Sequence, residues 1–118
     1  MQREFRLNSS TDFKRVRRIG KSYPHPLVVL VVLPNQSTRL RIGVAAGRSV
    51  GNAVQRNRAK RRLRAAIQPM LAEMKPGWDA ILIARQPLLS APFLELRQAL
   101  RHLTVRAGIL ERNHDQRE

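Results

Sequence analysis

The residues with the clearest chemical capacity are six cations that fall within nine consecutive positions. They are Arg56, Arg58, Lys60, Arg61, Arg62 and Arg64. No Asp or Glu lies among them, whereas an ordinary solvated helix mixes both signs so that pairs three or four residues apart attract. A planar guanidinium group matches the geometry of a phosphate or of a base edge. The segment therefore predicts a surface that binds nucleic acid.

The charge of the whole chain supports this interpretation. Its 118 residues include 23 Lys and Arg against 8 Asp and Glu, which gives a formal net charge of +15. Residues 13–72 contain no acidic residue at all. Such a surface is typical of proteins with a polyanionic partner. If six side chains neutralise phosphates, the logarithm of the binding constant should fall with the logarithm of salt concentration with a slope of about −4 to −5. Composition alone leaves RNA and DNA equally open.

The sequence shows no self-contained catalytic site. The absence of cysteine excludes thiol catalysis, disulfide bonds and cysteine-based zinc sites. His25, His102 and His114 are too widely spaced to form a metal-binding motif. No pair of carboxylates and no glycine-rich phosphate loop accompanies the basic segment. We therefore expect neither a catalytic residue nor a metal site in the protein.

Hydropathy predicts a cytoplasmic protein with no membrane partner. The longest apolar run covers residues 27–33, far short of the roughly 20 residues that a membrane span needs. The first residues, MQRE, carry no apolar segment of the kind found in secretory signals. A hydrophobic fraction of 42% is enough to form a core. We expect a single domain over residues 1–118, with an ordered core over about 3–106 and a polar C-terminal tail over 108–118.

A short helix and two strands are predicted before the basic segment. Short polar residues at positions 9–12 favour a helix start, and Gly20 favours its end. Residues 27–33 form a β-branched run bounded by prolines, and residues 39–46 alternate between cationic and apolar side chains. We expect these two strands to pair as a hairpin.

The basic segment opens a long helix, predicted from Asn52 to about Met74. Apolar residues at helical spacing define its buried side, and Pro69 should bend or shorten it. A third strand over residues 78–84 and a final helix, whose apolar face includes Phe93, complete the chain. The predicted fold class is α+β, a small sandwich with the order α-β-β-α-β-α.

Residues 51–64, GNAVQRNRAKRRLR, resemble the signature segment of the protein subunit of bacterial ribonuclease P. The resemblance extends over about residues 3–106. It includes Arg6-Leu7 ahead of Asp12-Phe13, the sequence RIGV at 41–44, and Asp79 at the start of a strand that ends in Ala84-Arg85. The order of the predicted elements is also similar.

This resemblance implies both a fold and a function. The fold would be similar to a ribosomal-protein domain, with a left-handed β-α-β crossover around the basic helix. The function would be that of an RNA-binding subunit, whose catalytic RNA partner uses Mg²⁺ to remove the 5′ leader from precursor tRNA. The implied partners are therefore the catalytic RNA and precursor tRNA, with no DNA expected and no catalytic side chain on the protein.

The resemblance also assigns two groups of residues. Those implied to contact or organise the catalytic RNA are Arg48, Asn52, Arg56, Asn57, Arg58, Lys60, Arg61, Arg62 and Arg64. Those implied to line a cleft for the leader are Arg6, Phe13, Arg17 and Val31. Arg17 and Val31 stand where aromatic residues are common in the family, so we expect this cleft to depend more on charge and less on stacking.

Two other functions fit a small, basic, cysteine-free chain. One is a ribosomal or other structural RNA-binding protein, which the composition does not distinguish from a ribonuclease P subunit. The other is a basic protein of membrane surfaces, which requires an amphipathic helix. The predicted strands and turns favour a globular domain over that second alternative.

Overall fold

The computed structural model describes residues 5–7 and 9–110 as a mixed α+β domain. Its elements, in chain order, are α1 (Ser10–Ile19), β1 (Lys21–Tyr23), β2 (Val28–Pro34), β3 (Arg41–Ala46), α2 (Ala53–Ile67), β4 (Trp78–Ala84) and α3 (Phe93–Arg106). Short 3-10 segments follow β3, α2 and β4. The Cα radius of gyration is 13.6 Å, as expected for a single domain of this length.

The four strands form one sheet in the order β1-β2-β4-β3. Strand β2 is antiparallel to both of its neighbours, whereas β3 and β4 are parallel. The connection from β3 through α2 to β4 is therefore a β-α-β crossover. Its left-handed sense stays a prediction.

The prediction that residues 27–33 and 39–46 pair as a hairpin is wrong. These residues form β2 and β3, which are not neighbours in the sheet. Strand β4 lies between β2 and β3 and pairs with both of them. The physical reason is burial, because β2 and β4 are almost continuously apolar and suit the centre of a sheet that is covered on both faces. Strand β3 alternates and occupies the edge. The short strand β1 was not predicted.

Both faces of the sheet are covered by helices. The larger core lies under α2 and α3 and includes Leu30, Ile42, Leu63, Leu82 and Leu100. A smaller cluster lies under α1 and is made of Leu7, Val16, Val31 and Ile81. Helices α1 and α2 therefore occupy opposite faces of one sheet.

The two ends of the long basic helix follow from local chemistry. At its start, the Asn52 side chain accepts a hydrogen bond from the Gln55 backbone N–H, and Gln55 Oε1 accepts one from the Asn52 N–H. Gly51 precedes this capping box with a φ of 147°, which an L side chain rarely adopts. At its end, Pro69 converts the helix into a 3-10 segment after Ile67, as the sequence predicts.

Two expectations about the C-terminal part are corrected. Phe93 is 40% exposed, because it begins α3 rather than facing its buried side. The ordered core also extends past residue 106, since Ile109 and Leu110 are buried and Leu110 forms a β-bridge with Met74. The predicted polar tail lies outside the described residues from position 111 onward.

Candidate nucleic-acid interface

Helix α2 carries the predicted cations around most of its circumference. Its buried stripe consists of Ala59, Leu63, Ala66 and Ile67. Arg56, Lys60 and Arg64 follow one edge of this stripe at four-residue spacing and are half-buried. Asn57, Arg58 and Arg61 are exposed on the rest of the helix surface.

Within the described part of the chain, no acidic side chain forms an ion pair with the exposed cations of α2. Among the described residues, the ion pairs involve Arg15, Arg41 and Arg101, and none involves an arginine or lysine of α2. The helix therefore presents its positive charge to solvent, where it can attract a polyanion.

Arg62 has a role that the sequence did not predict. Its guanidinium donates hydrogen bonds to the backbone carbonyls of Leu88 and Ala91, at 2.6 and 2.7 Å, and a longer one to Leu89 at 3.4 Å. It also lies 5.9 Å from the centre of the Phe93 ring. Arg62 therefore lies at the second edge of the apolar stripe and holds the β4–α3 connection.

The remaining residues assigned to the RNA surface lie at the start of the helix. Arg48 is exposed in the 3-10 segment that joins β3 to α2, and buried Val50 anchors that segment to the core. Asn52 is exposed, but its side-chain oxygen serves as the helix cap. Arg48 therefore extends the basic surface beyond the helix.

On the opposite face of the sheet, paired residues of β2, β4 and β3 form three rows that run across the strands. Helix α1 lies over the middle row. The middle row joins Val31, Ile81 and Gly43 across β2, β4 and β3. Val16 of α1 is fully buried in the cluster that contains Val31 and Ile81. On one side of α1 a row of residues is left half-buried, whereas the row on the other side includes Asp79, which is fully buried.

The half-buried row forms an accessible apolar floor beside Phe13. It consists of Val29, Ile83 and Ala45, all half-buried. Arg85 follows Ile83 by two residues, so strand alternation places it on the same face. Sequence reasoning did not assign these four residues to the cleft, although this alternation was a signal available for Arg85.

A cavity of about 270 Å³ joins this face to the basic helix around the edge of β3. Its lining includes Arg6, Phe13, Gly43 and Arg64. The structure therefore brings two residues assigned to the leader cleft together with one assigned to the catalytic RNA. A Cβ atom on Gly43 would lie 2.7 Å from Phe13 Cε2, so glycine allows the close approach of the ring to the sheet.

The other two residues assigned to the cleft differ in their exposure. Arg17 is exposed on α1, one turn after Phe13. Val31 is only 3% exposed because the end of α1 covers it, so its assignment to the open cleft is corrected. Val29, two residues earlier on the same strand face, is half-buried and therefore more accessible than Val31.

The described part of the chain contains neither a cluster of metal-binding side chains nor a membrane-spanning helix. Within residues 5–7 and 9–110, no three His, Asp or Glu side chains are placed to hold a metal ion. No helix of the described part of the chain is long and apolar enough to cross a membrane.

The fold and the basic helix define a small α+β RNA-binding protein, and comparisons with known proteins identify its family. The family profile described as Ribonuclease P matches residues 1–108. The "Ribonuclease P protein component" of Symbiobacterium thermophilum is 44% identical over 95% of this chain and 98% of its own. That of Herpetosiphon aurantiacus is 41% identical over 92% of this chain and 89% of its own.

Solved structures agree with these relatives. The RNase P protein of Staphylococcus aureus superposes with a TM-score of 0.79 at 28% identity, over 91% of this chain and 98% of that one. The RNase P protein of Thermotoga maritima superposes with a TM-score of 0.73 at 27% identity, over 85% of this chain and 96% of that one.

The chain belongs to the bacterial ribonuclease P protein family. It is the RNA-binding subunit of an endoribonuclease ribonucleoprotein that acts in tRNA processing. The resemblance found in the sequence is thereby confirmed, and the ribosomal alternative is not favoured.

Proposed function

We propose that the two faces of the sheet bind two different RNA molecules. The solvent-facing cations of α2, with Arg48, bind the catalytic RNA of ribonuclease P. The open row beside Phe13 binds the 5′ leader of precursor tRNA in the cytoplasm. The observation that supports this proposal is the cavity lined by Phe13 and Arg6 of the leader cleft and by Arg64 of α2. Through this cavity the two surfaces are continuous around one edge of the sheet.

On the α2 surface the protein contributes positive charge and no catalytic side chain. Arg58 and Arg61 are exposed and form no ion pair with a carboxylate of the described residues, so they can pair with phosphates. Neutralised phosphates repel one another less, so a folded RNA needs fewer cations to bring its strands together. We propose that the Mg²⁺ ions of the reaction are held by the RNA, and that the protein lowers the Mg²⁺ concentration required.

In the leader cleft we propose a combination of stacking and charge. Phe13 supplies an aromatic face for an unpaired base, and Val29 and Ile83 supply an apolar floor. Arg6 and Arg17 are exposed at its rim and can pair with the phosphates of the single strand. Since the strand floor is aliphatic, charge should contribute more of the affinity than stacking.

Reconstitution tests the proposed function. The full chain is mixed with the catalytic RNA, and cleavage of precursor tRNA is measured at an Mg²⁺ concentration at which the RNA alone is inactive. We expect cleavage only in the mixture. Absence of stimulation at every protein concentration up to saturation would contradict the proposal.

A pair of variants tests the separation of the two surfaces. Arg58→Ala should weaken binding to the catalytic RNA, while Phe13→Ala should weaken holoenzyme binding to precursor tRNA more than to mature tRNA. Arg97→Ala is the matched control, since Arg97 is exposed on α3 and lines a pocket that contains no residue assigned to either surface. Equal losses for Arg58→Ala and Phe13→Ala in both assays would argue against two distinct surfaces.

A further inference from the structure

The solvent-facing side of α3 carries a groove that lies outside both RNA surfaces. Four residues of α3 at positions i, i+3, i+4 and i+7 fall on one face of the helix. Together with two residues of the 3-10 segment after α2 they line a cavity of about 220 Å³, called the α3 groove below. Its lining consists of Pro69, Met70, Leu94, Arg97, Gln98 and Arg101. No residue assigned to the catalytic RNA or to the leader cleft belongs to it.

The α3 groove has an apolar floor and an exposed apolar edge. Met70 is only 4% exposed and belongs to the larger core, so it forms a fixed floor. Leu94 lines the same cavity but is 61% exposed, whereas Leu96 and Leu100 on the other side of α3 are fully buried. The cavity is smaller than the roughly 300–1,000 Å³ of most small-molecule sites. It is therefore suited to an apolar side chain rather than to a cofactor.

The α3 side of the groove carries two arginines. Arg97 is exposed and forms no ion pair with any carboxylate of residues 5–7 and 9–110. Arg101 uses its Nη2 toward Glu73, at 3.5 Å on the surface, although a guanidinium has five N–H donors. The two arginines and Glu73 together have one net positive charge. The groove is therefore complementary to a partner that has both apolar and acidic groups.

The shape of the groove favours a helix as its occupant. Its walls are a helix and a 3-10 segment, so an extended peptide finds no strand there with which to pair. From Leu94 to Arg101 the exposed face of α3 covers about 10 Å, or two turns, which a second helix can follow.

Two other occupants fit the groove less well. A second copy of this chain would bring another net charge of +15 against the first. An RNA strand would bring phosphates to the arginines, but the lining has no aromatic side chain on which a base could stack. Neither occupant supplies carboxylates and an aliphatic side chain together.

We propose that the α3 groove docks an acidic amphipathic helix of a protein partner. One apolar side chain of that helix enters the cavity between Met70 and Leu94, and its carboxylates pair with Arg97 and Arg101. The groove shares no residue with the two RNA surfaces, so the partner and the RNA molecules can be bound at the same time. The chain would thereby connect its ribonucleoprotein to a second protein.

A synthetic peptide tests the groove in the full chain without any RNA. The probe is a fluorescein-labelled peptide of about 16 residues, long enough to form a helix, with leucines on one face and glutamates on the other. The reference is a peptide of the same composition, scrambled so that its leucines do not share a face. Fluorescence anisotropy should give at least about tenfold tighter binding of the probe than of the scrambled peptide. Equal affinities would overturn the proposal.

Leu94→Gln tests the apolar contact, and Ile19→Gln is its matched control. Ile19 is 57% exposed on α1, so both substitutions remove an exposed aliphatic side chain. Both variants should melt near the wild-type temperature, because neither side chain is buried. We expect Leu94→Gln to abolish the preference for the probe over the scrambled peptide, and Ile19→Gln to retain it. A preference that survives Leu94→Gln, or that is lost in both variants, would contradict docking in the groove.

The charges of the groove predict changes of opposite sign. Glu73→Gln removes the carboxylate beside Arg101 and should tighten binding of the probe by about 2–5-fold. Arg97→Gln should weaken it by a similar factor. Glu95→Gln is the control for Glu73→Gln, since Glu95 is exposed on α3 but does not line the groove. If both glutamate substitutions tighten binding equally, the probe responds to net charge alone and the groove is not its site.

Further measurements decide between the proposed partner and the two other occupants. Self-association of the wild-type chain in sedimentation velocity, lost in Leu94→Gln, would assign the groove to a second copy. Weaker binding of Leu94→Gln to the catalytic RNA would assign it to RNA. Either result would overturn the protein partner, and we expect neither. Because the peptide assay contains no RNA, its outcome is independent of whether the chain stimulates the catalytic RNA.

Discussion

Asp79 is fully buried and accepts two parallel hydrogen bonds from Arg41, 2.9 Å from Nε to Oδ1 and 2.8 Å from Nη2 to Oδ2. The hydrogen bond with Asp79 raises the pKa of Arg41 above its ordinary value, so Arg41 stays charged. Arg41 Nη1 also reaches Asp12 of α1 at 3.1 Å. The pair therefore connects β3 and β4 to the first turn of α1.

Loss of the buried carboxylate should destabilise the fold. Asp79→Asn keeps the volume but removes the charge opposite Arg41, whose side chain is only 28% exposed. We expect a decrease of about 2–4 kcal/mol in the free energy of unfolding, measured by urea denaturation. Glu73→Gln is the control, because Glu73 meets Arg101 at 3.5 Å on the surface and should contribute less than about 1 kcal/mol. Equal effects of the two substitutions would contradict a structural role for the buried pair.

Replacement of two neighbouring arginines of α2 should affect different properties of the protein, stability in one case and RNA binding in the other. Arg62→Met removes the hydrogen bonds to the Leu88 and Ala91 carbonyls and should lower the free energy of unfolding by about 2 kcal/mol. Arg61→Met, at an exposed position, should change stability by less than about 0.5 kcal/mol but reduce the salt slope of binding to the catalytic RNA. Denaturation and salt titration of both variants measure this contrast, and an Arg62→Met protein of unchanged stability would refute it.

Sequence periodicity predicted the elements of the fold better than their pairing. The limits of α1 and the early end of α2 at Pro69 follow from capping residues and from the geometry of proline, which act locally. The position of β4 between β2 and β3 depends on contacts between residues 38–56 positions apart in the chain, and no local pattern specifies it. Continuous apolar character on β2 and β4 was the available signal for central strands.

In the candidate site, too, the features set by local sequence could be predicted, whereas those set by contacts between residues far apart in the chain could not. The exposure of Arg58 and Arg61 could be predicted, because an acid-free helix surface is a local property of the sequence. The contacts of Arg62 could not, since its carbonyl partners lie 26–29 residues away, in and just after a 3-10 segment that has no clear sequence pattern. Likewise, Val31 is buried because α1 crosses the sheet above it, and strand alternation alone does not show which residues a helix covers.

A methyl group at Gly43 should disturb the cleft and spare the basic helix. The added Cβ of Gly43→Ala would lie 2.7 Å from the Phe13 ring and 3.1 Å from the Leu7 carbonyl oxygen, so the ring must move. We expect a loss of about 1–3 kcal/mol in stability. We also expect weaker holoenzyme binding to precursor tRNA, with unchanged affinity of the protein for the catalytic RNA. Gly47→Ala, where nothing lies within 4 Å of the added atom, is the matched control.

Acid should destabilise the protein through His25. Its Nδ1 accepts a hydrogen bond from the Leu27 N–H at 3.0 Å, which requires that nitrogen to be unprotonated. Burial, and secondarily the charge of His102, lowers the pKa of His25 below its ordinary value of 6.5. As the pH falls below about 6.5, the unfolded chain takes up the proton first, so stability is complete above that value and decreases toward the folded-state pKa.

Melting temperatures between pH 7.5 and pH 5 measure this effect. His25→Asn places an oxygen near the position of Nδ1 and cannot titrate, so its melting temperature should depend less on pH across this range than that of wild type. His102→Gln should have a smaller effect in the same direction, because it removes only the secondary cause of the lowered pKa. If His25→Asn melts with the same pH dependence as the wild type, another group is responsible for the acid sensitivity.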